Sequence, residues 1–409
     1  MAPVRKWTSR SAISTAQRKA TTSTAMASTE LPRRLVLGSS AAAALGGMLT
    51  GFGTGRMSSP REATAVNADG YLPFYGKHQR GILDAQQTHA VFAGWDLHWR
   101  AGSKKDQLRA LLQMLTDDAA RLASGRGVLA DTEPEMAQPP CQLSLTAGVG
   151  QALLDVAGHG HIGTMPEFPG DQLQERYGQS DLLIQFCAQD PTVLHHAVRA
   201  VSKNLRGLAT RRFAQTGFIQ PAEHGFRNLF GQLDGINNPA GQLREAAVFG
   251  SGQDSWIEHG TTLALRRFEM DLDGWDAVDR AGRDYALGRR QSDGAPLSGQ
   301  QVDDPVDVHA ANELGLPKIA ANAHVALARP ASGEEVIHRR GYNFAGETSG
   351  LLFASYQRDP ATSFIPLQHR LAAADALNTW LKPVGSGLYA ILPGVREGCY
   401  LGQTWLEAV

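Results

Sequence analysis

Asp181-Leu-Leu-Ile-Gln-Phe-Cys187-Ala-Gln-Asp190-Pro191-Thr-Val-Leu194 passes from a mostly apolar run into the start of a helix. Residues 182–187 hold no Gly, Pro, Asn, Asp or Ser, and 181–187 suits a strand. Asp190 before Pro191 is a side-chain acceptor followed by a residue with preset φ, the pattern of an N-cap and first helical position. The helix then runs over 191–208. Upstream, 143–147 alternates at period two, and 105–123 places Leu108, Leu111, Leu112, Leu115 and Leu122 on one helical side. Residues 90–93 read as a further strand, and 212–218 return as a strand after the helix. Strand, helix, strand, strand, helix, strand is the split βαβ, ferredoxin-like order.

The pattern restarts after a Gly/Asn/Pro-rich stretch at 231–241. Residues 261–270 form a strand, and Asp271-Leu-Asp-Gly-Trp275 opens a short helix. A polar connection follows at 291–319, then strand-like runs at 338–344 and 350–356, then a largely helical 363–380 with Pro366 near its start. The expected class is α+β: two ferredoxin-like halves with antiparallel sheets, at 66–245 and 246–409, the second interrupted by the long connection.

Residues 1–65 differ from the rest. Ser, Thr, Ala and Arg dominate the start, and Pro32-Arg33-Arg34-Leu-Val-Leu37 precedes a weakly apolar stretch with no charge over 35–55. A twin arginine before such a region is expected to be a twin-arginine export signal, with Pro32 where Ser or Thr is usual and Met26 as a second candidate start. The alternative is an uncleaved anchor, against which the glycine content argues. The expected location is periplasmic or secreted, and export in folded form suits a protein loaded with its cofactor before crossing.

The 39 basic and 40 acidic residues leave a formal charge of -1. That balance supports neither a nucleic-acid groove nor a polybasic membrane anchor. Cys141, Cys187 and Cys399 have neither metal-ligand nor disulfide-framework spacing, and Cys187 reads as a buried filler. His159-Gly-His161 and His195-His196 lack a partnering Cys pair or an HExxH helix and read as ordinary surface. No dinucleotide fingerprint and no G-x-S-x-G elbow is present.

Three groups stand out. Gly231-Gln-Leu-Asp234-Gly235-Ile-Asn-Asn-Pro239 fixes one carboxylate between glycines. His324 follows 90 residues after Asp234 in an otherwise apolar stretch, and Arg339-Arg340-Gly341-Tyr342 pairs two guanidinium groups. Taken singly, Asp234 reads as a turn residue, His324 as a satisfied semi-buried imidazole and an arginine pair such as Arg289-Arg290 as a solvated rim. Together they are the side chains a redox iron site needs: an imidazole ligand, a carboxylate to move protons and a fixed cation. The second imidazole nitrogen calls for a carboxylate partner; candidates exist throughout 303–313, and the sequence gives no reason to choose among them.

With His324 and the arginines, Gly231-x-x-Asp234-Gly235 resembles the signature of the dye-decolorizing peroxidases, in particular the exported bacterial branch linked to iron uptake. The resemblance spans about Phe74 to Leu401 and includes Tyr75-Gly-Lys-His-Gln-Arg-Gly-Ile82, Gly294-Ala-Pro-Leu297 and Gly350-Leu-Leu-Phe353. It implies a dimeric α/β-barrel-like fold and heme b (iron protoporphyrin IX) held by His324 as metal ligand. It also implies catalytic Asp234 and Arg339, with Arg340 or Arg266 as propionate contacts. Hydrogen peroxide and small organic reductants, dyes or phenols, would be the substrates. The twin-arginine translocase, iron-uptake proteins and a second copy of the chain would be the partners, with no nucleic acid. An alternative is a periplasmic protein that assimilates iron by releasing it from haem; another is a haem-free binding module. Gln232-Leu233 and Ile236 depart from the usual flanks of Asp234.

Overall fold

The computed structural model describes residues 66–250 and 255–408, so the leader lies outside the described residues. The first half contains β1 (His89–Leu97), α1 (Lys104–Ala123), β2 (Ser144–Val149), α2 (Gln151–Ala157), β3 (Leu182–Ala188), α3 (Pro191–Asn204) and β4 (Ala209–Phe218). A small sheet of β5 (Pro221–Ala222), β6 (Gly225–Arg227) and β7 (Leu233–Asp234) follows, then α4 (Gly241–Val248). The second half begins with β8 (Thr261–Met270), α5 (Leu272–Asp276), α6 (Arg280–Leu287), α7 (His324–Leu327) and β9 (His338–Arg339). It continues with β10 (Tyr342–Phe344), β11 (Gly350–Gln357), α8 (Phe364–Ala374), β12 (Leu381–Ile391) and α9 (Gln403–Leu406).

The strands run β10-β4-β1-β3-β2-β12-β8-β11, and β11 pairs back onto β10, closing an antiparallel barrel. The first half has the order β4-β1-β3-β2, and the second repeats it as β12-β8-β11-β10, the ferredoxin order twice over. The expected α+β class with antiparallel sheets is therefore the observed one. Alternation along β1 shows how the sequence builds two layers. Ala90 and Phe92 enter the barrel interior with Cys187, Tyr342, Tyr356 and Tyr389, while Val91, Ala93 and Trp95 face outward onto Leu108, Leu112, Leu194 and Val201 of α1 and α3. Full burial of each such leucine stabilises by roughly 1.5–3 kcal/mol, which fastens the helices to the sheet.

Local signals act as their chemistry requires. Asp190 Oδ1 accepts from the amides of Thr192 and Val193 and caps α3, and Asp271 caps α5 in the same way. His196, expected at the surface, is instead buried 2.8 Å from Asp131, because it falls on the core-facing side of α3 beside Val193 and Ala197. Arg289, expected on a solvated rim, is only 4% exposed.

Candidate haem-binding site

Asp234 is delivered by the small sheet. It pairs with Phe226 across β6 and β7, and a Cβ at Gly225 would fall 1.8 Å from the Asp234 carbonyl oxygen. Gly225 and Gly235 have φ of 105° and 96°, which L side chains rarely adopt, so both positions need glycine. Upstream the chain is pinned at Phe230, which accepts from Trp275 Nε1 at 3.0 Å and packs against that indole. Arg227 bonds the carbonyls of Gly231 and Gln291, tying this turn to the polar connection.

Arg339 comes from β9. Arg339↔Ser355 and Tyr342↔Leu352 keep one register on β11, so β9 and β10 are one strand interrupted at Arg340-Gly341. Strand alternation then separates the paired arginines. Arg339 Nη1 lies 3.4 Å from Asp234 Oδ1. Arg340 turns into the barrel, where it donates to the Asp84 carbonyl and to Gln87 Oε1. The structure therefore does not bring Arg340, a candidate for a propionate contact, to the site. Arg266 pairs across the sheet with Phe353, two residues along β11 from the partner of Arg339, and so shares the face of Arg339. Its guanidinium is engaged by Asp171 and Ser386 Oγ and lies over the Phe168 ring.

His324 opens α7. The apolar stretch around it packs as Ile319, Ala320, Ala323 and Val325, and Arg370 of α8 holds the far end of the turn through the Leu327 and Arg329 carbonyls. His324 Nδ1 is 2.6 Å from Asp375 Oδ2. The other Asp375 oxygen accepts from the Leu377 amide, which fixes the carboxylate. The carboxylate is Asp375, just beyond α8, and lies outside the candidates at 303–313. Burial pulls the His324 pKa down, but the charge and hydrogen bond of Asp375 outweigh it and the net shift is upward; Arg339 opposes and Asp234 reinforces that rise. The charges of Asp234 and Arg339 are therefore both felt at the imidazole. Its side chain keeps 28% exposure. Asp234 and Arg339 keep 18% and 23%.

Sequence reasoning missed Asp375, Asn238 and Arg289. Asn238 contacts Arg339. Arg289 donates to the Gly294 and Val302 carbonyls and approaches Asn237 Oδ1 at 3.4 Å. Burial, then the positive charge of Arg339, lowers its pKa. Asp375 falls inside the 363–380 stretch expected to be largely helical, where nothing pointed to His324.

The donor set fits a porphyrin. Among the described residues no group of three or more His, Cys, Asp or Glu could hold a metal ion, so iron at His324 needs its equatorial donors from elsewhere. An imidazole whose Nδ1 is engaged by a carboxylate presents Nε2 as its ligand nitrogen, so His324 would hold the iron of a haem through Nε2.

His338, on the interior face beside Arg340, illustrates the opposite environment. Burial, followed by the charges of Arg340 and Arg244, pushes its pKa from 6.5 down to about 3. The unfolded chain therefore binds this proton first as pH falls. Stability is lost below about pH 6.5 and the loss grows until about pH 3, by up to about 1.4 kcal/mol per pH unit. Urea unfolding of the haem-free protein from pH 7 to pH 4 should give H338N a shallower acid limb than wild type. Parallel limbs would show that His338 does not titrate on unfolding.

The barrel of two like halves carries one carboxylate-braced imidazole and one carboxylate–guanidinium pair whose charges act on it. The chain belongs to the Dyp-type peroxidase family: the family's N-terminal region matches residues 79–219 and its C-terminal region residues 226–396. It is 35% identical over 330 residues to a dye-decolorizing peroxidase of Thermobifida fusca, covering 74% of this chain and 76% of that protein. It is 31% identical over 418 positions to a deferrochelatase of Escherichia coli O157:H7, covering 92% and 96%. A solved DyP-type peroxidase from Cellulomonas bogoriensis superposes with a TM-score of 0.80 at 37% identity, covering 84% of this chain and all of that one. The fold is the one typical of haem b peroxidases. Homology to the deferrochelatases supports the periplasmic or secreted location expected from the leader.

Proposed function

We propose that the pocket binds haem b through His324 and that the protein reduces hydrogen peroxide while oxidising organic dyes or phenols in one-electron steps. The observation that carries this reading is the Asp234–Arg339 pair at 3.4 Å, whose charges both act on His324. When bound, the haem supplies the redox chemistry. Asp234 accepts the proton of the incoming peroxide and returns it to the departing oxygen. Arg339 stabilises the negative charge that develops there, its guanidinium remaining charged throughout. Asp375 keeps His324 in the ligand tautomer and raises its basicity.

A second reading is release of iron from haem with the porphyrin left intact. The names of the curated relatives favour it, since most of those compared are deferrochelatases and they align over more of the chain than the dye-decolorizing relative does. Both readings use one pocket, so one experiment addresses both. The purified protein is loaded with haem, given peroxide and a phenolic reductant, and assayed for oxidised product and metal-free porphyrin. Absence of a Soret band sinks both readings. A haem form inert to peroxide sinks the first, and failure to recover metal-free porphyrin sinks the second. We further propose a domain boundary at 245/246, supported by the repeated strand order. A homo-oligomer, iron-uptake proteins and the twin-arginine translocase are proposed as partners.

A further inference from the structure

The turn that carries Asp234 also meets Arg339 a second time. Asn238 Oδ1 accepts from the Arg339 amide at 3.0 Å, and Asn238 Nδ2 donates to the Arg339 carbonyl at 2.8 Å. The same Oδ1 lies 3.4 Å from Arg339 Nε. All three side-chain contacts of Asn238 therefore go to one residue. A turn asparagine ordinarily bonds its own neighbouring backbone; this one bonds a strand 101 positions away.

The topology explains why that contact exists. Arg340 donates its amide to Ala354 of β11, so in an antiparallel ladder the N–H and C=O of Arg339 point away from β11. Further along the same strand, Asn343 pairs with Phe218 of β4, but β9 itself has no strand on that side. Without Asn238 the outward amide and carbonyl of Arg339 would lack a protein partner, which is costly for a half-buried backbone. The Asn238 amide supplies one acceptor and one donor, as a neighbouring strand would.

This hold bears on the guanidinium. Arg339 is drawn to Asp234 at 3.4 Å and repelled by Arg289, whose own pKa is lowered by it. The contact to Nε is long, so the two backbone bonds contribute most by fixing the Cα–Cβ direction from which the side chain departs. We infer that Asn238 is a positioning residue that fixes Arg339 against Asp234. The inference rests on the proposed role of Arg339 toward an anionic oxygen.

The test uses the full chain, haem-free and haem-loaded, as wild type, N238A, N238D and N237A. In the haem-free protein, hydrogen exchange at the Arg339 amide should quicken at least about tenfold in N238A, because its acceptor is gone. N238D keeps an acceptor oxygen and should restore slow exchange, and N237A, whose amide faces Arg289, should leave it slow. In the haem-loaded protein, fluoride affinity read from absorbance should fall about tenfold in N238A with haem retention unchanged, a loss that weaker packing alone would not produce. Wild-type exchange in N238A overturns the inference. Faster exchange with wild-type fluoride affinity also overturns it, since Asn238 would then only seal the strand edge. A wild-type protein that holds no haem overturns the functional reading instead, and with it this role.

Discussion

Replacing His324 by alanine is expected to remove most of the haem that the protein retains through gel filtration, whereas D234N and R339L should retain it. His324 is the imidazole whose Nδ1 is braced by a carboxylate, at 2.6 Å from Asp375, and no group of three or more His, Cys, Asp or Glu among the described residues could replace it as a metal site. His338 is the nearest alternative in sequence, and the fold excludes it. It is buried beside Arg340 on the barrel-interior face, and its pKa is already depressed to about 3. D375N should act in the same direction but less strongly. Loss of the partner that orients a ligating imidazole typically costs about 10–100-fold in metal affinity. The ratio of Soret to protein absorbance after haem loading measures both variants. An H324A protein with a normal histidine-ligated spectrum would show that another residue holds the iron.

How far the sequence leads to this pocket depends on the kind of contact. Local patterns were legible. The strand expected at 261–270 is β8 to the residue, and the caps at Asp190 and Asp271 hold the expected amides. β12 escaped the sequence reading because Pro383, Gly385 and Gly387 interrupt its apolar pattern. The structure absorbs them in a register shift between Pro383 and Gly385. Gly385 is needed there because a Cβ would lie 2.8 Å from Tyr177 Cβ. Asp234, His324 and Arg339 could be named because each sits in a distinctive local phrase. Asp375 lies 51 positions from His324 inside the stretch expected to be helical, and only the packing of α7 on α8 joins them. Arg340 and Arg339 look equivalent as neighbours in sequence, and the pleat of one strand sends them to opposite faces.

R339L is expected to slow the single-turnover reaction of the haem-loaded protein with peroxide at least as much as D234N. Loss of a positioned proton acceptor typically costs about 10²–10⁴-fold, and loss of a preorganised electrostatic contact about 10²–10³-fold, so magnitude alone does not rank them. The surroundings do. Asn at position 234 nearly preserves volume and keeps an oxygen toward Arg339 Nη1, and water reaching the side chain, which keeps 18% exposure as Asp234, can carry the proton instead. Leu at position 339 removes the cation, and the buried guanidinium of Arg289, which feels Arg339, is committed elsewhere. Arg289 is held by the Gly294 and Val302 carbonyls at 2.7 and 3.0 Å and is only 4% exposed, so it cannot swing in to replace the lost charge. Rapid mixing with peroxide, followed by absorbance in each variant before any reducing substrate is added, isolates this step. If D234N proves much slower than R339L, proton transfer through the carboxylate limits the step and the fixed charge of Arg339 is the lesser contribution.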